Sequence, residues 1–231
     1  HSFIVGADGN LNNNLGYDLS FRKENDSSYG SQQSSRTEAY YLFNPDLRIA
    51  FSNSTGFRNP SLYETFTPTY GTRTLTPETT ETRRVTVSGK TKIINGGYSL
   101  NVYESKISNL ISSDPNTYVY YNTDGDTNIS GLESNIKSKL RDNLYSSFGF
   151  VTIHKKTSDN RKNILLPRYS ISGSLNYILN NDFNLNTNLN YYEGSYDTNN
   201  VELPSYFLVG LKANYKINNK TKFNLSVVNI F

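Results

Sequence analysis

The sequence predicts an all-β protein, a transmembrane antiparallel β-barrel. Three observations carry that expectation. Apolar and polar residues alternate with a period of two along many segments, as expected of strands. The connections between these segments alternate between short and long. Finally, apolar content is low at 35% while aromatic content reaches 13%, with 19 Tyr and 12 Phe in 231 residues. A disordered chain is poor in aromatic and β-branched residues, whereas this one is rich in Tyr, Ile, Val and Thr. Scarce apolar residues with abundant Tyr suit a protein whose interior is polar and whose outside is not. No apolar run approaches the ~18 residues of a spanning helix, so a membrane would be crossed by strands.

Along the chain, weaker alternation covers residues 17–21, 47–53 and 98–102. Leu132, Ile136 and Leu140 then oppose Glu133, Asn135, Lys137 and Lys139. Tyr169, Ile171, Gly173, Leu175 and Tyr177 alternate with Ser170, Ser172, Ser174 and Asn176. The cleanest case follows. Phe183, Leu185, Leu189 and Tyr191 share one face of a strand, and Asn184, Asn186, Asn188 and Asn190 share the other. By itself this fits either a soluble sheet with a wet outer face or a lipid-facing strand with a wet lumen. Phe207, Val209, Leu211, Ala213 and Tyr215 repeat the pattern, and residues 223–227 end it. The count is roughly twelve strands of about ten residues, the length a tilted strand needs to cross a bilayer.

Short turns rich in Asn, Asp or Gly are predicted at residues 12–14, 44–46, 94–97, 141–143, 180–182 and 218–220. Long connections are predicted at 24–35, 54–79, 108–117, 155–166 and 195–203. A soluble barrel has no reason to segregate its loops by length, whereas an outer-membrane barrel has short periplasmic turns and long external loops. The loop pattern therefore assigns the apolar faces to lipid. The absence of Cys excludes disulfides and thiolate metal sites. The net charge of +3 is small and scattered, which argues against a nucleic-acid partner. The chain begins at His1 and contains no Met, so it reads as a piece of a longer protein.

Five segments, in order, carry a resemblance. Residues 54–64 read S-T-G-F-R-N-P-S-L-Y-E, containing Gly56, Phe57, Arg58 and Pro60. Leu75-Thr76-Pro77-Glu78 follows, with Glu81 after it. Tyr121 and Asn122 precede Ile129-Ser130-Gly131-Leu132-Glu133. Pro167-Arg168 and then Val228-Asn229-Ile230-Phe231 complete the series. Together these resemble the C-terminal barrel of TonB-dependent outer-membrane receptors, closest to the vitamin B12 and siderophore branch. The resemblance covers about Leu15 to Phe231, and Arg73-Thr74 departs from the Asn-Pro that the family often carries there. It implies that residues 1–231 are a partial C-terminal barrel domain belonging to a barrel of about 22 strands. The plug domain, the first barrel half and the closing strand would lie outside it. Gly56, Phe57, Pro60, Pro77, Glu78, Asn122, Gly131, Glu133 and Asn229 are expected to be barrel framework. Gly56 and Pro60 are expected to shape a loop exit, and Gly131 suits a bulge or close packing. An incomplete barrel of this kind has two unpaired edges and is not expected to be stable alone.

The resemblance further implies uptake of a scarce ligand, an iron–siderophore complex or cobalamin, across the outer membrane of a Gram-negative bacterium. The partners would be that ligand, outer-membrane lipid and the TonB complex, the last through an N-terminal segment, and the intact barrel would be a monomer. A passive porin or adhesin barrel is the alternative. The long 54–79 connection holds Arg58, Tyr63, Phe66, Tyr70 and Arg73, a set able to hold a bulky anionic ligand by stacking and charge-assisted hydrogen bonds. Tyr118, Tyr120 and Tyr121 are read as part of an interfacial aromatic girdle.

No enzyme is expected. The only histidines are His1 and His154, and a hydrolase would need His154 to face a nucleophile across the lumen. No histidine lies between Pro60 and Leu75, where haem receptors of the family carry one. Asp124-Gly125-Asp126 resembles a calcium loop but lacks its downstream glutamate, so a turn is preferred. No cofactor and no metal are expected.

Overall fold

A computed structural model describes residues 1–157, 166–197 and 201–229. The main body is a twelve-stranded antiparallel sheet. Its first six strands are β1 (Ser2–Asn10), β2 (Leu15–Asp26), β3 (Gly30–Asn44), β4 (Leu47–Arg58), β5 (Glu78–Thr91) and β6 (Gly96–Ser108). A one-turn helix, α1 (Leu62–Phe66), lies between β4 and β5. After β6 come β7 (Ile111–Ser113) and β8 (Tyr120–Asn122), which form a separate two-stranded sheet. The main sheet resumes with β9 (Asp126–Arg141), β10 (Leu144–Lys156), β11 (Tyr169–Ile178), β12 (Phe183–Glu193), β13 (Tyr206–Lys216) and β14 (Lys222–Val228). Each main-sheet strand pairs with the next, β9 following β6, and β1 and β14 form the edges.

There is almost no apolar core. Among the described residues, Ala50, Leu75 and Ile111 are the buried apolar side chains, together with Pro60. The large apolar side chains instead line one face of the sheet. Phe51, Val85, Val102 and Leu132 are successive cross-strand partners on that face, and Phe51 is 52% exposed. Tyr191 and Phe207 are partners further along, with ring centroids 4.6 Å apart, and Phe207 is 53% exposed. This is the inverse of a soluble domain and the arrangement a lipid-facing strand requires. Phe183, Leu185, Leu189 and Tyr191 belong to this face, as the alternation predicts.

The opposite face is mostly polar but not uniform, and Val151, Ile153 and Leu208 also lie on it. On β3 and β4, Glu38 joins Arg36 and Arg48 in a three-residue ion cluster, each contact 2.5 Å. Arg48 also stacks over Tyr40. From Ser147 on β10 to β12 the wall is built largely of Ser and Asn: Ser147 and Ser174 share a hydrogen bond of 2.7 Å, and Asn184 Nδ2 donates to Asn176 Oδ1 at 2.7 Å.

The short turns sit where predicted except that the one expected at 94–97 falls at 92–95, and four share one device. Asn12, Asn44, Asn180 and Asn218 each turn the side-chain oxygen back to accept from the backbone N–H two residues on. This is an Asx-turn, which satisfies backbone donors without a longer loop. The long connections differ from expectation in three places. Residues 24–35 are not a loop, because β2 and β3 run out to Asp26 and Gly30. Only residues 27–29 form the turn, held by the Asp26 carboxylate accepting from the N–H groups of Ser28 and Tyr29. Ladder hydrogen bonds need no apolar side chains, so a polar stretch continues the sheet beyond the bilayer. The connection predicted at 108–117 extends over residues 109–125 and contains β7 and β8. Gly56 lies inside β4, paired with Thr80, rather than at a loop exit. Much of the predicted 155–166 and 195–203 connections, and Ile230 and Phe231, lie outside the described residues.

Candidate ligand platform on two connected loops

The 59–77 and 109–125 loops stand side by side at the end of the sheet opposite the short turns. The first loop starts from a sequence-encoded helix cap. Ser61 Oγ accepts from the Glu64 N–H, and the Glu64 carboxylate accepts from the Ser61 N–H, closing a capping box. This places Tyr63 and Phe66 on a short helix, 61% and 55% exposed. Arg73 lies over the Phe66 ring at 5.4 Å. Tyr70 meets Tyr118 edge-on at 6.0 Å, and Tyr63 meets Tyr120 at 6.2 Å. Four of the five candidate ligand residues, Tyr63, Phe66, Tyr70 and Arg73, therefore take part in three neighbouring aromatic pairs on these loops.

Arg58, at the end of β4, is engaged beneath that surface. Its Nε and Nη2 donate to Glu78 at 2.8 and 2.7 Å, a bidentate pair, and Nη1 donates to both Glu64 oxygens at 3.1 and 2.9 Å. Burial pushes the Glu64 carboxyl up, but hydrogen bonds from Arg58 and from the Ser61 N–H outweigh it and hold the group below the ordinary glutamate range. Glu78 is itself buried and also accepts from the Ile111 N–H at 2.7 Å. The guanidinium fork is thus shared between two carboxylates.

Tyr118 and Tyr120 belong to this platform, through their pairing with Tyr70 and Tyr63, and not to a membrane girdle as the sequence suggested. Tyr121 is on β8, also off the main sheet. Residues 111–122 form their own hairpin, which local alternation in the sequence does not reveal. Tyr29, at the tip of the β2–β3 turn, also reaches the platform, its hydroxyl 3.1 Å from Thr65 Oγ1. Ser61 and Glu64 lie outside the candidate set the sequence offers, although the Ser-x-x-Glu spacing is a readable capping-box signal.

The framework residues are placed as follows. Phe57 pairs with Thr79, and Pro60 is buried just before α1. Pro77 immediately precedes β5, and Asn122 ends β8. Gly131 is packed rather than bulged: a Cβ there would fall 2.5 Å from the Tyr103 ring. The register shifts occur elsewhere, at Leu42/Asn44 and Leu144/Tyr145. Glu133 is 4.0 Å from Arg84 across the lumen-facing wall. Asn229 adopts a positive φ of 55° after β14. His154 pairs with Ser130 and shares parity with Phe148 and Phe150, on the outward face. That placement removes it from the lumen. Asp126 opens β9, and its carboxylate is taken by Lys106 at 2.7 Å and Ser108 at 2.5 Å, while Gly125 has φ 78°. The segment is a turn with an ion pair.

Comparisons with known proteins agree with this architecture. The family described as TonB dependent receptor-like, beta-barrel matches residues 5–230. The vitamin B12 transporter BtuB of Vibrio cholerae is 26% identical over 223 residues, which cover 92% of this chain and 35% of that protein. BtuB of Photobacterium profundum is 23% identical over 225 residues, 93% of this chain and 36% of that protein. The chain therefore spans about a third of the length of these relatives. Among solved structures, the siderophore receptor PirA from Pseudomonas aeruginosa superimposes with a TM-score of 0.79 at 17% identity. It covers all of this chain and 42% of its own. The copper transporter OprC also gives 0.79, at 13% identity, covering 100% of this chain and 41% of its own. These structural likenesses show the same fold, with the twelve strands forming about two-fifths of each chain. Match, strand order and lipid-facing band concur: this chain belongs to the TonB-dependent receptor family, as part of its outer-membrane β-barrel.

Proposed function

We propose that this barrel segment serves a receptor that captures a bulky metal complex at the cell surface and imports it with energy delivered by TonB. The ligand class is an iron–siderophore complex or cobalamin. The observation that carries the reading is the exposed platform of Tyr63, Phe66, Tyr70 and Arg73 at the loop end of the barrel. Aromatic faces stack on a conjugated ligand, and the Arg73 guanidinium supplies charge-assisted hydrogen bonds to its anionic groups. Arg58 contributes from beneath by fixing α1 through Glu64. Support also comes from the relatives, which are named as vitamin B12 transporters, and from the structural neighbours, named as siderophore receptors and a copper transporter. The role is import rather than catalysis, since no covalent step is needed to move a ligand. TonB would engage a segment outside this chain, and the lumen-facing wall would surround a plug.

The test is growth of a receptor-deleted strain complemented with the intact receptor, on a single cobalamin or ferric-siderophore source, with and without TonB. Growth that depends on both receptor and TonB is expected. Growth that persists without TonB would instead favour a passive barrel.

A further inference from the structure

The platform has two side-chain latches that run in opposite directions between its loops. Asn122, in the second loop, holds the backbone of the first. Its Oδ1 accepts from Thr76 N at 2.9 Å and Thr76 Oγ1 at 3.2 Å, and its Nδ2 donates to Thr76 O at 3.0 Å and to Asn109 O at 2.7 Å. A carboxamide has two donor hydrogens and two acceptor lone pairs, so the full complement is used. Thr76 lies just before Pro77, which has no N–H, and outside any strand, so Asn122 acts as its strand partner. Glu78, at the close of the first loop, holds the backbone of the second through Ile111 N while clamped by Arg58. Two further bonds join the loops directly: Tyr120 N donates to Tyr70 O at 2.9 Å, and Thr72 Oγ1 to Tyr120 O at 2.5 Å. Among the described residues, three of the four buried apolar side chains, Pro60, Leu75 and Ile111, belong to these loops. Since the described strands add only Ala50, these three mark a small folded unit.

We infer that Asn122 and Glu78 are positioning residues that fuse the two loops into one platform formed before any ligand arrives. This rests on the ligand role proposed above for Tyr63, Phe66, Tyr70 and Arg73. Two of those rings pair across the loops, Tyr63 with Tyr120 and Tyr70 with Tyr118, while Phe66 meets Arg73 of its own loop. Their spacing is therefore set by the latches and not by the ligand. A surface already ordered does not lose that conformational freedom on binding, which strengthens affinity without any contact by the latch itself. Asparagine is specific here. Aspartate keeps the acceptors but cannot donate to Thr76 O or Asn109 O, and it places a negative charge against both carbonyls.

The test uses the intact receptor in detergent micelles, as wild type, Asn122→Ala and Asn122→Asp, with Asn188→Ala on the lumen wall as control. Amide hydrogen exchange is followed at Gly71 and Thr72 in the first loop and Tyr120 and Thr123 in the second. Binding is measured with cyanocobalamin and with ferric enterobactin as probes. In both Asn122 variants, exchange is expected to accelerate about tenfold or more in the two loops together, with the melting of the barrel unchanged. The Kd of whichever probe binds is expected to rise by a similar factor. A purely structural role would raise exchange without moving Kd, and that outcome overturns the positioning role. Acceleration confined to one loop, or none in either, overturns the fused platform. If neither probe binds wild type, cobalamin and ferric enterobactin fail as ligands, while the exchange result still decides whether the loops are one unit.

Discussion

Asparagine holds two regions of this molecule together, with different consequences in each. On the platform, Asn122 spends its whole hydrogen-bonding capacity, three of its four bonds on Thr76 and two of the four on main-chain carbonyls. On the lumen wall, Asn184 donates to Asn176 and accepts a long bond of 3.5 Å from Asn214, so its partners are other side chains. The Asn122 bonds to Thr76 and Asn109 are exposed, yet four of them converge on one side chain and tie main chain to main chain across two loops, whereas the half-buried Asn184 bonds join side chains on strands that the ladder already holds. The residue type is the same. What differs is whether the backbone on either side is already held by other bonds.

Several substitutions would break or sharpen this contrast. The largest effect is expected from Glu78→Ala, which strips Arg58 of its bidentate partner and leaves the Ile111 N–H without its acceptor. Local destabilisation of the two loops by about 2–3 kcal/mol is expected, kept modest by the partial exposure of Arg58. Hydrogen exchange at Ile111 and Thr123 reads it, and a value under about 0.5 kcal/mol would remove Glu78 from the account. Glu78→Gln should retain the bond to Ile111 and lose the charge, giving roughly half that effect. Next is Gly131→Ala, whose new Cβ must displace the Tyr103 ring on the lumen face. A loss of about 1–2 kcal/mol is expected, with Tyr103→Ala in the same chain relieving part of it.

Acid should loosen the platform through Glu64. The Glu64 carboxyl is held below its unfolded value, so its contribution to α1 is present above that unfolded value, near pH ~4.3, and disappears as pH falls through the lower folded one. Exchange at Thr65 and Thr67, corrected for intrinsic rate, should be flat from about pH 7 to 5 and rise only below about pH 4. A rise already at pH 6 would show that another group governs α1. The smallest effect is expected at Asn184→Ala, within about 0.5 kcal/mol in barrel melting. A large loss there would mean that the lumen asparagines are tied as firmly as Asn122, and the contrast would collapse.

The barrel was legible because its signals are local. Alternation in residues 183–191 and 207–215 fixes faces within a single strand, and Asn12, Asn44, Asn180 and Asn218 close turns with their own neighbours. Gly131 was legible as a bulge or close-packing position, although neither the choice between them nor its neighbour Tyr103 was. The platform was mostly illegible because its bonds join distant residues. Nothing near Asn122 announces that its partner is Thr76, 46 positions away. Arg58 likewise reads as an available cation until Glu64 and Glu78 are seen around it. The β2–β3 extension escaped for a different reason: beyond the bilayer a strand needs no apolar face, so the pattern that marks strands disappears while the ladder continues.

The paired rings at the two ends of β12 and β13 also act as a ruler. Phe183 meets Tyr215 at one end, and Tyr191 meets Phe207 at the other. Eight residue steps separate them, about 26 Å along a strand and on the order of 20 Å of height once a tilt near 40° is included. A wall this short matches a thin hydrocarbon layer. In a thicker membrane it would draw lipid tails down around itself or tilt its strands less. The receptor is therefore suited to the membrane it sits in by thickness as well as by chemistry, and long-chain lipids should accept it less readily than short ones.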